Sequence, residues 1–285
     1  MQSPTRYVLI TGCSDGGIGS ALAQAFHEKG LHVFATARDT SKMQDLRDLS
    51  NITFLELDVS SPASITAAYH VVAKETGGRL HYLVNNSGCG FVMPFLDSDI
   101  EASQRVFDVN LWGMVRTSQA FASLVIDAKG TIVNNASTAA CVGLPYQSLY
   151  CGSKAAVKVI SEGMALEMKP LGVDVITVIT GNVRSRWFSN YPEFQLPSDS
   201  YYTSIAPRIG VYARGEQGHP QMKTTLYAEK VVDDVLGGAQ GKIWRGAQST
   251  LVRVAMALIP DWLMGMLAVK GTGLDTLSRT MTGSD

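Results

Sequence analysis

Tyr150 and Lys154 stand four residues apart in the stretch Tyr150-Cys151-Gly152-Ser153-Lys154. Helical spacing puts such a pair on one face, a single turn apart. A phenol with its ordinary pKa of about 10 gives up its proton too reluctantly to work well at neutral pH. A nearby ammonium favours the phenolate and moves the group toward the range where proton transfer runs efficiently both ways. The chemistry this pair could perform is acid–base catalysis at an oxygen atom. By itself Tyr-x-x-x-Lys is common by chance, and Lys154 would serve equally as a solvated charge. Context gives the pair weight, because Ser137 closes the preceding predicted strand and Asn110 lies in an earlier predicted helix.

A second cluster, Thr11-Gly12-Cys13-Ser14-Asp15-Gly16-Gly17-Ile18-Gly19, joins the first predicted strand to the first helix. Glycines let the backbone turn tightly and approach a phosphate, while the helix N-terminus offers free N–H groups and a positive dipole. Many turns need glycine for φ > 0, so position decides the reading. Between a strand and a helix the cluster reads as a dinucleotide cradle. The second strand ends Ala35-Thr36-Ala37-Arg38, with no acid before Asp39. Dinucleotide folds that prefer NAD place Asp or Glu there for the ribose 2′-hydroxyl; an arginine accommodates a 2′-phosphate. The planar donor fork of Arg38 suits that phosphate, making NADP(H) the expected cofactor. Asp58 and Val59, after the third strand, are expected along the adenine, as hydrogen-bond acceptor and apolar wall.

These residues need a frame. Apolar runs at residues 7–11, 31–37, 53–57, 82–85, 131–134 and 174–179 read as buried strands. Helical periodicity fills residues 18–29, 65–74, 103–126 and 153–168, with Gly30 as a C-cap for the first of these. Strands separated by helices of this length pair in parallel through right-handed crossovers. The predicted fold is a single α/β domain over residues 1–285, a doubly wound parallel sheet with helices on both faces. Ligands of such sheets bind at the carboxyl ends of the strands, where every residue named above falls. Residues 185–225, rich in Pro, Tyr, Gly and Ser, are expected to form a substrate loop or lid, and residues 226–285 a C-terminal helical extension.

The 285 residues carry a formal net charge of −1, so nothing in the charge balance argues for nucleic acid. The four cysteines lack C-x-x-C or zinc-ligand spacing and the five histidines show no paired spacing, so no metal site is expected. A reduced, cytoplasmic setting suits the cysteines, and the N-terminus lacks a signal-peptide pattern. Residues 251–269 approach the length of a membrane span. Their eight Leu, Ile and Val residues gain roughly 2–5 kcal/mol on insertion, while a central Asp alone costs about 2.5–3.5 kcal/mol. Pro260-Asp261 breaks the segment at its midpoint and Arg253 adds a further cost, so two short apolar helices are expected. They would close the substrate pocket, form a dimer face, or lie on a lipid surface.

In this combination and order, the chain resembles the short-chain dehydrogenase/reductase family over about residues 6–185. The matching pieces are Thr11-Gly12 with Gly17-Ile18-Gly19, Asp58-Val59, Asn85-Asn86-Ser87-Gly88, Asn110 within Asp108-Val109-Asn110-Leu111-Trp112-Gly113, Ser137, Tyr150 and Lys154. The resemblance implies a Rossmann-type fold and Tyr150 as acid/base. It makes Ser137 a donor to the substrate oxygen, has Lys154 bind ribose while tuning Tyr150, and has Asn110 hold a water that links Lys154 to solvent. It also implies nucleotide contacts from Gly12, Ser14, Gly17, Ile18, Gly19 and Asn85, and nicotinamide-end contacts from Val183 and Ser185. Departures are the additional residue in Asp15-Gly16-Gly17, which leaves open the glycine that meets the pyrophosphate, Ser87 for the usual alanine and Asn182 for a common glycine. A narrower likeness, in Lys169-Pro170-Leu171-Gly172-Val173, Trp244-Arg245-Gly246 and Ile259-Pro260-Asp261-Trp262-Leu263, is to fungal NADPH-dependent 1-acyldihydroxyacetone-phosphate reductases and related fungal reductases.

The expected activity is hydride transfer between NADP(H) and the carbonyl or alcohol of a small-molecule substrate. An apolar and fairly large substrate is expected from Phe91, Met93, Phe95, Trp187, Phe188 and Tyr191 near the site, and the narrower likeness implies a lipid-like or secondary-metabolite one. The alternatives are a cyclase or isomerase of a natural-product pathway using bound nicotinamide structurally, and a non-catalytic redox-sensing module. A homo-oligomer is expected by the same resemblance. Any lipid contact would be peripheral, at the endoplasmic reticulum or lipid droplets.

Overall fold

The protein is described by a computed structural model covering residues 5–188 and 194–281. In chain order the elements begin β1 (Tyr7–Thr11), α1 (Ile18–Glu28), β2 (His32–Ala37), β3 (Ile52–Glu56), α2 (Pro62–Thr76) and β4 (Tyr82–Asn85). They continue α3 (Ile100–Phe107), α4 (Gly113–Ala128), β5 (Thr131–Asn135), α5 (Ser148–Met168), β6 (Asp174–Thr180) and β7 (Val183–Arg184). The last are α6 (Ala206–Ala213), β8 (Met222–Lys223), α7 (Thr224–Leu236), β9 (Gly241–Arg245), α8 (Ser249–Leu258), α9 (Asp261–Val269) and α10 (Leu274–Met281).

Seven strands form one sheet in the order β3-β2-β1-β4-β5-β6-β9, and every neighbour is parallel. The winding reverses between β1 and β4, so the loops leaving those two strands diverge and open a crevice. Alternation along β1 builds both layers of the core. Val8 and Ile10 pack with Leu22 and Phe26 of α1 and with Tyr227 and Val231 of α7. Leu9 faces the other way, against Ile65 and Val72 of α2 and Phe121 and Leu124 of α4. Phe26, Phe34 and Phe121 are fully buried, each worth about 1.5–3 kcal/mol relative to exposure. Ser61 caps α2 by accepting from the Ser64 N–H at 3.3 Å, and Pro62 starts the helix where its missing donor costs nothing.

Some expectations need correction. The single helix expected over residues 103–126 is three pieces, α3, a π-helical segment Asp108–Trp112, and α4. A widened turn of this kind is frequent at functional sites, and Asn110 lies at its centre. The helix expected from residue 153 starts at Ser148, which sets Tyr150 in its first turn. Residues 185–225 hold α6 and β8, and β8 pairs in parallel with β7 just before the segment. Ile205, Ile209 and Ala213 there pack with Val92 and Tyr146, and Leu274 of α10 returns against them. The segment expected as a helical extension also contains the seventh strand, β9, and α7 belongs to the main core. Only α8, α9 and α10 lie beyond the sheet. The break at Pro260 falls as expected, and of residues 249–270 only Ser249 is buried.

Candidate active site

The glycine loop is built from three separate requirements. Gly12 has φ +77°, and a Cβ there would lie 3.0 Å from Ser87 Oγ. Gly16 has φ +68°. Gly19 has an ordinary φ, but its Cβ would come within 2.2 Å of the Gly12 carbonyl oxygen, so helix and loop meet only through glycine. Gly17 caps α1 and donates its N–H to Ser14 O at 3.1 Å, ahead of Ile18. No side chain caps the N-terminus of α1 and its first turn carries no acid, so its N–H groups face the crevice uncontested. Asp15 is turned aside, its two carboxylate oxygens accepting from the Gln44 and Asp45 N–H groups at 2.9 Å each. Cys13 is fully buried, and that burial pushes its thiol up to about 12. It is packing rather than chemistry.

At the end of β2, Arg38 is exposed. Asp58 faces it: burial pushes the carboxyl up, but hydrogen bonds from Ser60 and the Arg38 charge together hold it below the usual range. Its Oδ1 accepts from the Ser60 N–H at 2.9 Å and the Ser60 hydroxyl at 2.7 Å. Val59 is buried against α4, where a Cβ on Gly113 would lie 2.6 Å from its Cγ2. The Asn85 side chain points into the sheet interior, donating to Ser118 Oγ at 2.9 Å and Asn134 Oδ1 at 2.8 Å. Its side chain is thereby engaged within the sheet rather than turned toward the crevice. Its neighbour Asn86 works at the loop instead, donating from Nδ2 to Thr11 O at 2.9 Å and Gly12 O at 3.2 Å.

On the other side of the crevice, Ser137 follows β5 and caps a short 3-10 turn, its Oγ accepting from the Ala139 N–H at 3.1 Å. The same hydroxyl acts on the Tyr150 phenol and works to lower its pKa. Lys154, one turn further along α5, donates from Nζ to Asn135 O at 2.9 Å. Asn110 donates to Cys89 O at 2.8 Å and Ser153 Oγ at 3.0 Å, and its Oδ1 accepts from the Cys89 N–H at 2.8 Å. Its side chain is thereby committed to protein partners. Asn110 and Lys154 converge over Gly88, where a Cβ would lie 3.2 Å from Asn110 Oδ1 and 3.5 Å from Lys154 Nζ.

Burial dominates the electrostatics. It holds Lys154 down to about 8, only partly opposed by Cys89. It pushes the Tyr150 phenol well above its ordinary value, with Ser137 working the other way. Lys154 is not among the groups that shift Tyr150, whose pKa is set chiefly by burial in an apolar wall. That wall is Ala139 and Cys151 with Phe91, Leu144 and Trp187. Trp187 meets Tyr150 edge-on at 5.2 Å between ring centroids, and Phe188 meets Trp187 at 4.7 Å. Phe95 is 64% exposed and lies outside that cluster, and Tyr191 lies outside the described residues.

A network unseen in the sequence ties the two sides together. Tyr227 OH and Thr180 Oγ1 are 2.6 Å apart, and Thr180 Oγ1 donates to Asn135 Oδ1 at 2.6 Å. Asn135 Nδ2 donates to Asn86 Oδ1 at 3.0 Å, and Asn86 reaches the glycine loop. The carboxyl ends of β1, β4, β5 and β6 are thus pinned in one register. Val183 and Ser185 follow on the loop after β6, both half-buried. No group of three or more metal-ligating side chains occurs among the described residues.

A bare helix N-terminus, a loop that Cβ atoms would fill, and an arginine at the end of β2 fit a dinucleotide. The Ser137, Tyr150 and Lys154 constellation fits proton transfer at an oxygen. Together they define a nucleotide-binding α/β oxidoreductase. The short-chain dehydrogenase family model matches residues 6–195. The chain is 45% identical to a short-chain dehydrogenase of Penicillium ochrochloron over 269 residues, covering 94% of this chain and 98% of that one. It is 41% identical to the NADPH-dependent 1-acyldihydroxyacetone phosphate reductase of Schizosaccharomyces pombe over 201 residues, covering 69% and 68%. A solved short-chain dehydrogenase from Burkholderia cenocepacia in complex with NADP shares the fold, with a TM-score of 0.74 and 24% identity over 94% of this chain and 99% of that one. The chain belongs to the short-chain dehydrogenase family. It is an NAD(P)-dependent oxidoreductase acting on alcohol or carbonyl groups.

Proposed function

We propose that the protein is an NADPH-dependent carbonyl reductase acting on an apolar, lipid-like or secondary-metabolite substrate, or an alcohol dehydrogenase when run in reverse. The observation that carries this reading is the buried Tyr150 phenol, under the influence of Ser137 and on the same helix as buried Lys154 one turn away. Bound nicotinamide supplies or accepts the hydride. The chain's own residues hold and protonate the substrate oxygen: Ser137 donates a hydrogen bond to it, and Tyr150 delivers the proton. A phenol pushed up by burial stays protonated, the state a reduction needs. Lys154 is assigned the ribose hydroxyls. Since the Asn110 side chain is engaged, its backbone in the π-helical segment is assigned the water leading to Lys154.

NADP(H) is supported by Arg38 at the end of β2, opposite Asp58. The apolar substrate is supported by Phe91, Leu144 and Trp187 around Tyr150. The name of the fission-yeast relative supports a lipid-like ketone. Residues 185–225 are assigned the covering of the site, because their first residues already reach Tyr150 and the glycine loop. Exposed Trp112, Val159, Ile160 and Leu166 on the outer surface near α4 and α5 support a homo-oligomer. Unpaired Cys13, Cys89, Cys141 and Cys151 support a reducing compartment.

Enzyme, NADPH and a panel of apolar ketones are mixed, and the loss of reduced nicotinamide is followed by absorbance. Consumption is expected, and Tyr150→Phe should lower kcat by about 100- to 10,000-fold while NADPH binding stays nearly unchanged. Product formed without NADPH loss would assign the pocket to cyclisation or isomerisation instead. Retention of most activity by Tyr150→Phe would reject the assigned acid.

A further inference from the structure

The chain of hydrogen bonds under the crevice runs in one direction, and its far end fixes that direction. Thr11 O and Gly12 O can only accept, so Asn86 must turn Nδ2 toward them, at 2.9 and 3.2 Å. Its Oδ1 then faces Asn135, which must present Nδ2, at 3.0 Å. That leaves Asn135 Oδ1 toward Thr180, whose hydroxyl has to donate to it, at 2.6 Å. With its proton spent there, Thr180 Oγ1 accepts from Tyr227 OH at 2.6 Å. Both ends of the Asn135 amide are thus committed, one to each neighbouring strand end.

The Asn135 backbone has a separate task. β4 pairs with β5 only as far as Asn85 opposite Asn134, while β6 continues to Val178 opposite Asn135. The Asn135 carbonyl therefore lies one residue past the end of the β4 ladder. There the Lys154 ammonium donates to it at 2.9 Å. A strand-end peptide released from one neighbour can rock, and the braced side chain opposes that rocking. An ammonium carries three donors. One committed to a fixed carbonyl leaves two with a set direction, the number that the paired hydroxyls of a ribose require.

We propose that Asn135 is a positioning residue for the nicotinamide nucleotide: its carbonyl aims the Lys154 ammonium, and its side chain, braced between Thr180 and Asn86, holds that carbonyl in fixed relation to the glycine loop. The spacing between the diphosphate cradle and the ribose-binding lysine is thereby set by one amide. This rests on the assignment of Lys154 to ribose made above, but not on the reaction catalysed or on a preference for NADPH.

Equilibrium binding to the full chain tests it without any turnover. NADPH, NADH and ADP, which has the diphosphate but no nicotinamide ribose, are titrated by fluorescence or calorimetry. Asn135→Val keeps the carbonyl and removes both side-chain bonds. It should weaken NADPH and NADH alike by about 10- to 100-fold, the range for a misdirected hydrogen bond from a charged group. ADP should stay within about twofold, because Asn86 keeps its own bonds to the loop. Thr180→Val, which removes one brace, should cost about 2- to 10-fold for the dinucleotides, and Thr180→Ser should restore them. Joined to Asn135→Val, Thr180→Val should add nothing further, since both act through the same amide. If Asn135→Val fails to fold by circular dichroism, the Thr180 pair carries the test. Dinucleotide binding unchanged in a folded Asn135→Val overturns the proposal. Equal weakening of ADP also overturns it, as a general loosening of the glycine loop. So does a Thr180→Ser variant that behaves like Thr180→Val, because the hydroxyl would then not be the brace. Failure of every ketone to consume NADPH, with these binding differences intact, removes the proposed reductase and leaves Asn135 its role. A wild-type chain that binds none of the three nucleotides removes both.

Discussion

At the scale of residues, the site is organised around burial rather than around paired charge. Lys154 is held down to about 8 by desolvation and donates to a backbone carbonyl instead of meeting a carboxylate. Its ammonium is assigned to ribose, so cofactor capture should follow its ionisation. Below pH 8 the amine is protonated and competent; above it, the neutral form accumulates. The expected profile of kcat/KM for NADPH, which reports the free enzyme, is flat on the acid side and falls above pH about 8. A profile flat to pH about 10, where an ordinary lysine titrates, would show that burial does not set this group. Tyr150 moves in the opposite direction for the same reason, because loss of water disfavours whichever form carries charge.

At the scale of elements, the glycines report how tightly the pieces meet. Gly113 begins α4 where a Cβ would lie 2.6 Å from Val59 Cγ2 and 2.9 Å from Val59 Cβ. Gly163, inside α5, has nothing within 4 Å of such an atom. Gly113→Ala should cost about 1–3 kcal/mol in urea unfolding by overpacking the α4 contact. Gly163→Ala should instead add roughly 1 kcal/mol through helix propensity. Equal effects from the two would mean that the contact at Val59 relaxes without cost. The π-helical segment belongs to this scale as well. It brings Asn110 to bind both backbone groups of Cys89 and the Ser153 hydroxyl, joining the loop after β4 to the helix that carries Tyr150 and Lys154. Sequence periodicity could not reveal it, because one widened turn scarcely disturbs the apolar pattern on either side.

At the scale of the molecule, α8 and α9 carry apolar side chains that are not packed away. Leu251, Leu258, Trp262 and Met266 are 63%, 77%, 68% and 64% exposed, against charges only at Arg253, Asp261 and Lys270 between residues 249 and 270. No described helix is long and apolar enough to cross a membrane. An aromatic residue and two cations flanking apolar helices suit a surface of anionic lipid. Vesicles containing anionic phospholipid should co-sediment with the protein, and Leu258→Glu with Trp262→Glu should abolish this while leaving turnover of a water-soluble ketone intact. Absence of vesicle binding, with self-association lost in the same variant, would give the face to a second copy. Residues 272–277 turn back from this pair onto the main body, where Tyr146 OH donates to Thr272 O at 2.9 Å.

Much of the frame was written in local pattern. The alternation of apolar strands with amphipathic helices fixed the parallel sheet, the glycine loop followed β1, and the four-residue spacing put Tyr150 and Lys154 on one helix face. Such features are legible because each depends on neighbours along the chain. β9 was not, since Gly241–Arg245 sits at the sheet edge with only Ile243 buried, leaving no apolar run to notice. Only the tertiary structure decided that Asn86 rather than Asn85 serves the loop, that Asn135 and Thr180 connect Tyr227 to it, and that Arg186 crosses Gly16. Each of those contacts joins residues 45 to 170 positions apart or depends on which way one side chain turns. Residue order along the chain sets periodicity and spacing; the packing of the whole chain sets those pairings.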